Sequence, residues 1–285
     1  MNYGKNEVEK TLRKTNSRSQ KITSHLVLLL TKIILILVLF AAVLGISFGY
    51  GIFKGVIDAA PEIDVASIEP SGYATMVYDS KGNLTETLVK SGANRLEASY
   101  EELPQCLIDA FIAIEDSRFW SHKGVDVRSM VRAAVGIITG DSSAGGGSTL
   151  TQQLIKNNVF PNFVNETNSE RFERKIQEQY LALKIEKQMS KKEILEAYMN
   201  TINLGQGCLG VQTAAKRYFN KDAADLTLSE CAVIAGITQS PSGNDPVKHP
   251  DVNARRREKV LNNMKKLGFI NQTEYDEAMA DNVYD

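Results

Sequence analysis

With 285 residues, 43% of them hydrophobic and 24% charged, the chain has room for one medium domain plus a tail and an anchor. A formal net charge of -1 argues against a dedicated nucleic-acid binder, whose balance would be strongly basic, so no nucleic-acid partner is expected. Cys106, Cys208 and Cys231 lie far apart, without a CxxC pair or metal-like spacing to the three histidines, so neither a disulfide framework nor a structural zinc site is supported.

Residues 1–24 hold Lys5, Lys10, Arg13, Lys14, Arg18 and Lys21 against only Glu7 and Glu9. Residues 33–53 are then uncharged and rich in Leu, Ile, Val, Ala and Phe, a length that crosses a hydrocarbon core of roughly 30 Å as a helix. The apolar run begins near Leu26, and Lys32 lies close enough to its end to snorkel to the interface. We read a basic cytoplasmic tail over 1–24 and a signal-anchor helix over 25–53, with everything beyond it outside the membrane. A cleaved signal peptide is the alternative, but its apolar region is shorter, about 7–15 residues.

A linker is expected over 54–72, which contains Pro61 and Pro70 and shows little periodicity. Residues 73–77 and 84–89 are β-prone and flank the turn-rich sequence from Asp79 through Gly82 to Asn83, which predicts a small hairpin. After Pro104, which suits a first helical turn, the pattern is helical almost to the end. Ser190 with Glu193, and Thr227 with Glu230, fit the capping box, each before an apolar run. The fold class is therefore mainly α, with a minor β element, after one transmembrane helix.

Three segments carry chemistry. In the first, Leu107, Ile108, Phe111, Ile112 and Ile114 share one arc of a helix and Glu115 falls inside it, while Asp109 and Asp116 lie on the other side. A carboxylate on an apolar arc is costly unless paired or used, and desolvation would raise its pKa towards the range of a general base. On this segment alone, a glutamate at a frayed helix end facing water is the slightly stronger reading. His122 by itself reads as structural, and Phe119 and Trp120 as core.

In the second, residues 145–157 join a glycine-rich loop to a helix started by Thr149 and Gln152, with Lys156 two turns on. Free amides at such a start make an anion site. A nucleotide P-loop is excluded, because Gly146 stands where its lysine is required. In the third, Arg174, Lys175 and Glu178 share one helical surface. They read either as a surface ion-pair triplet or as a carboxylate held beside phosphate-gripping cations.

Taken together these segments resemble the peptidoglycan glycosyltransferases, the polymerising domain of bifunctional penicillin-binding proteins and of their monofunctional relatives. The first motif of that family is met by Glu115, Asp116, Phe119, His122 and Gly124; the second by residues 146–157; the third by Arg174, Lys175 and Glu178. Tyr198, Asn200, Gly205, Gly210 and residues 214–219 look like the fourth motif, and residues 228–241 with His249 and Pro250 like the fifth. Two features depart from the pattern: a longer stretch between Asn157 and Arg174, and Asn220 in place of a glycine.

The resemblance covers 73–285 and implies a lysozyme-like, two-lobed domain that polymerises lipid II into β-1,4-linked glycan with inversion, releasing polyprenyl pyrophosphate. It implies Glu115 as the base for the acceptor hydroxyl, and Glu178 with Lys156, Arg174 and Lys175 holding the pyrophosphate or a divalent cation (Mg2+ or Mn2+) bound to it. Ser148, Thr149, Gln152, Gln153 and Asn157 would line the donor side, and Asp116, Phe119 and His122 would join the substrate site. The implied partners are lipid II, the growing glycan and the membrane, with other cell-wall synthesis or division proteins as candidates. The transpeptidase motifs are missing, so the chain is expected to be either a monofunctional enzyme or a bifunctional one cut short. A lytic hydrolase is the rival within the fold neighbourhood, and a silent anchored scaffold the rival outside it.

Overall fold

The computed structural model describes residues 4–15, 18–70, 72–88, 95–140, 145–160 and 163–284, in two units, Met1–Ala59 and Ala60–Asp285. The first unit holds α1 (Lys5–Thr15) and α2 (Arg18–Asp58). Within α2 the stretch Ile22–Asp58 is long and apolar enough to cross a membrane, and none of its apolar window is buried. Its 41 residues extend about 60 Å at the rise of an α-helix, roughly twice the hydrocarbon thickness. The helix outruns the apolar stretch at both ends because no proline interrupts it between Arg18 and Asp58.

The second unit is helical apart from one hairpin. Its first part, expected as linker, is structured: Asp64 caps α3 (Val65–Ile68) by accepting from the Ser67 amide at 2.8 Å, and Ile63 and Ile68 are buried in the core. Strands β1 (Thr75–Tyr78) and β2 (Leu84–Leu88) pair antiparallel, Thr75 opposite Leu88, with an irregularity between Val77 and Tyr78. Asp79 closes the turn by accepting from the amides of Lys81 and Asn83, both at 2.8 Å. Val89, expected to end the second strand, lies outside the described residues, as does Pro161 of the longer stretch.

At the centre is α10 (Leu228–Ile237), buried from Ser229 through Ile237. A helix this apolar on every side must be covered all round. It packs against α4 (Gln105–Glu115), α9 (Val211–Phe219), α11 (Pro250–Lys266) and α12 (Gln272–Ala280). A second group is formed by α6 (Leu150–Val159), α7 (Asn168–Ile185) and α8 (Lys191–Thr201). Phe111 of α4 and Tyr198 of α8 join the groups edge to face, ring centroids 6.1 Å apart, and both are fully buried. Each such ring contributes about 2 kcal/mol by burial.

The capping boxes at Thr149, Ser190 and Thr227 all form, as do others at Ser99, Thr167 and Asn271. Pro104 is the residue before α4 rather than its first turn, with Gln105 starting the helix. Asn220 sits in the left-handed region at the C-terminus of α9 (φ 54°), a conformation asparagine tolerates nearly as well as glycine. Cys106 and Cys231, 125 residues apart, bring their sulfurs to 2.9 Å between α4 and α10, a juxtaposition that spacing alone does not reveal.

Candidate active site

A cleft of about 1250 Å³ opens in the second unit. Residues from α4, α5 (Val127–Thr139), α6, α7 and α11 line it, together with the segment carrying Gly145, Gly146, Ser148 and Thr149. Its lining holds six basic side chains (Arg132, Lys156, Lys175, Arg256, Lys259 and Lys266) against Glu115, Asp116 and Asp126.

Glu115 is the last residue of α4 and half-buried on the cleft wall. Its Oε2 accepts from the Gln153 amide at 2.8 Å and its Oε1 from the Thr238 hydroxyl at 2.5 Å. Gln153 is itself held by the Tyr198 hydroxyl, which donates to Oε1 at 3.2 Å.

Asp116 does not occupy the far side of the helix. It is the C-cap of α4, at φ -155°, and turns its carboxylate inward. There it meets Nε2 of His122 at 2.9 Å and accepts the Leu150 amide at 3.0 Å. The N-terminus of α6 is thus sealed by the protein's own anion, which accounts for an amide expected to be free. The other ring nitrogen of His122 accepts from the Gly124 amide at 3.2 Å, so His122 is an interior strut. Phe119 is fully buried and does not line the cleft.

Gly124 fastens this region to α6 and α7. Its carbonyl accepts from Thr149 Oγ1 at 2.7 Å and Gln152 Nε2 at 3.3 Å. Its φ is +88°, and a Cβ there would lie 2.6 Å from the Ala182 carbonyl oxygen. Thr149 and Gln152 are buried and spend their polar atoms on the capping box and on Gly124, while Thr149 still edges the cleft. Asn157 is half-buried on α6 and not on the lining.

The third constellation is layered. Glu178 has no exposure at all and lies beneath its two cations, accepting from Arg174 Nη1 and, at 2.6 Å, from Lys175 Nζ. Arg174 is committed a second time, to Glu166, through Nε at 2.7 Å. The Arg174 and Arg171 guanidiniums hold the Glu166 carboxyl down to about 2. Neither Arg174 nor Glu178 lines the cleft, whereas Lys175 does, and it also donates to Ser148 Oγ at 3.2 Å.

Lys156 faces the cleft with its ammonium 4.9 Å from the Phe163 ring centre, and no carboxylate stands within salt-bridge distance of it among the described residues. Burial, then repulsion from Lys175, lowers its pKa. An ammonium so placed favours an incoming anion.

Thr238, Arg256, Lys259 and Lys266 escape the reading of the sequence. Basic residues on a long helix look like a solvated face, and only packing shows which of them line a cavity. Arg256 is half-buried, with an Nε that has no hydrogen-bond partner.

Among the described residues there is no all-protein cage for a divalent cation. Both Glu178 oxygens are engaged by cations, and among the described residues no group of three or more His, Cys, Asp or Glu is placed to hold a metal.

The described residues thus comprise a helix long and apolar enough to cross a membrane and a helical domain with a basic cleft, and the sequence comparisons place the chain in the transglycosylase family. The transglycosylase family model matches residues 81–265, and the chain belongs to that family. It is 42% identical over 240 residues to penicillin-binding protein 1A of Clostridium novyi, covering 81% of this chain and 28% of that protein. With penicillin-binding protein 1A of Clostridium tetani it shares 38% identity over 272 residues, covering 92% of this chain and 33% of that one. The chain thus spans about a third of the length of these relatives. A solved structure of penicillin-binding protein 1A from Haemophilus influenzae is matched with a TM-score of 0.42 and 26% identity, over 75% of this chain and 21% of that one.

Proposed function

We propose that the chain polymerises lipid II into β-1,4-linked glycan at the outer face of the bacterial cytoplasmic membrane, releasing polyprenyl pyrophosphate, with its basic tail in the cytoplasm. The observation that carries this reading is the difference among the three carboxylates of the cleft. Asp116 is engaged by His122 and a backbone amide, and Asp126 by the Arg118 guanidinium and two backbone amides. Glu115 takes only a neutral amide and a neutral hydroxyl. Among the described residues it is the lining carboxylate held by neither a basic side chain nor a backbone amide.

Glu115 removes the proton from the acceptor's sugar 4-hydroxyl. That oxygen attacks the anomeric carbon of the growing chain, and the bond from that carbon to the pyrophosphate oxygen breaks with inversion. Negative charge builds on the leaving pyrophosphate, where Lys156 and Lys175 stand ready and Arg256 adds to the field. Ser148 is positioned through Lys175, and Gln153 through Tyr198. Glu178 acts from below, holding Arg174 and Lys175 in place.

The test is incubation of the full chain with labelled lipid II, sizing the product before and after muramidase. Long, muramidase-sensitive glycan is expected, and Glu115→Gln should lower the rate by about a thousandfold or more while the melting temperature is kept. Near-normal polymerisation by that variant removes Glu115 from the role. Shortening of pre-made glycan, or bound but unchanged lipid, would replace the reading with a hydrolase or a scaffold.

A further inference from the structure

The Thr238 hydroxyl lies 2.5 Å from Glu115 Oε1 and 2.9 Å from the Ala235 carbonyl oxygen, within donating distance of both. A hydroxyl has one hydrogen, so the two bonds are alternatives selected by the protonation state of Glu115. The other carboxylate oxygen has no such freedom. An ionised carboxylate only accepts, so Gln153 must present its NH2 to Oε2; its carbonyl must then face Tyr198, and the buried phenol must donate.

We propose that Thr238 is a positioning residue for the base: its hydrogen points to Glu115 while that carboxylate is ionised and turns to the Ala235 carbonyl once Glu115 has taken the acceptor's proton on Oε1, whereas Tyr198, through Gln153, keeps Oε2 an acceptor throughout. After the transfer, the new Glu115 hydroxyl donates to Thr238 Oγ1. One proton has moved from the sugar hydroxyl to Oε1, and every polar atom around it keeps a partner. A fixed donor on both oxygens would leave the protonated glutamate facing an N–H or O–H with nothing to accept it. The Ala235 carbonyl, at the end of α10, makes the turn possible.

This inference rests on the reading of Glu115 as the base. The titratable groups around that carboxylate are Lys156 of α6, Lys175 of α7, Tyr198 of α8, Arg256 of α11 and the neighbouring Asp116. On α10 and the residues that follow it, the group facing Glu115 is the Thr238 hydroxyl.

The experiment measures polymerisation of lipid II by the full chain in detergent micelles as a function of pH. The variants are Thr238→Val, which keeps the shape and removes the hydroxyl, and Thr238→Ser, which keeps the hydroxyl. Loss of a bond to the ionised form raises the pKa of the base, so the acidic limb of the rate profile should move up by about one pH unit in Thr238→Val. Its kcat should fall about tenfold with KM changed less than twofold, and Thr238→Ser should restore both. Tyr198→Phe should lower kcat by a smaller factor, because Gln153 is then free to flip. Thr238→Ala carries the same expectation as Thr238→Val should the valine variant not fold. If Glu115→Gln is inactive while Thr238→Val keeps the parent kcat and profile, this inference fails and the base assignment stands. Activity in Glu115→Gln overturns both.

Discussion

Glu115 and Glu178 show how differently two glutamates are used within one cleft region. Glu115 stands at the cleft wall between an amide and a hydroxyl, two neutral partners. Glu178 has no exposure and faces two cations, so its charge is consumed by the protein. A buried carboxylate paired in this way holds its partners in place more than it adds net stability. Glu178→Gln removes the charge while keeping the shape, and its one amide oxygen can accept from Arg174 or Lys175 but leaves an NH2 against the other. The expected result is destabilisation of about 3 kcal/mol together with severely reduced polymerisation, read by thermal melting alongside the lipid II assay. A variant that melts like the parent and polymerises at its rate would show that the ion pairs do not position Lys175.

At the scale of elements, the site depends on how the short segment after α4 is bound to α6 and α7. Asp116 caps α6, His122 braces Asp116, and Gly124 receives both side chains of the α6 capping box. The Gly124 backbone is left-handed and almost touches the Ala182 carbonyl, so two separate costs oppose any side chain there. Gly124→Ala should destabilise the domain by about 2–4 kcal/mol, from the left-handed penalty and forced displacement of α7. Denaturant unfolding measures this; a change below about 0.5 kcal/mol would mean that the loop relaxes freely.

At the scale of the whole molecule, α2 differs in kind from the helices of the domain. An apolar window of this length, with none of it buried among the described residues, suits a lipid environment. The full chain in vesicles should therefore resist alkaline carbonate extraction, whereas a chain beginning at Ala60 should be released. Fractionation followed by immunoblotting decides this, and release of the full chain would remove the anchor assignment.

Much of this was legible from order alone. The anchor, the hairpin turn at Asp79, the helix starts at Thr149, Ser190 and Thr227, and the pairing of Arg174 and Lys175 with Glu178 are local. Each arises from residues within a few positions of one another, where period, capping and i,i+4 geometry act directly. Glu115 was visible as a carboxylate on an apolar arc. The resemblance of five motifs in order supplied its expected role.

What the tertiary structure alone decided is which of these groups face the cleft and which support it. The sequence by itself determined a mainly helical domain behind an apolar helix and marked the acidic and basic residues around which its chemistry would turn. It did not separate Lys156 and Lys175, on the cleft, from Arg174 and Glu178 beneath them, nor bring Thr238 to Glu115 across 123 positions. The physical reason is that local rules determine on which side of a helix a residue lies. Whether that side meets water, core or another carboxylate depends on packing between elements distant in sequence.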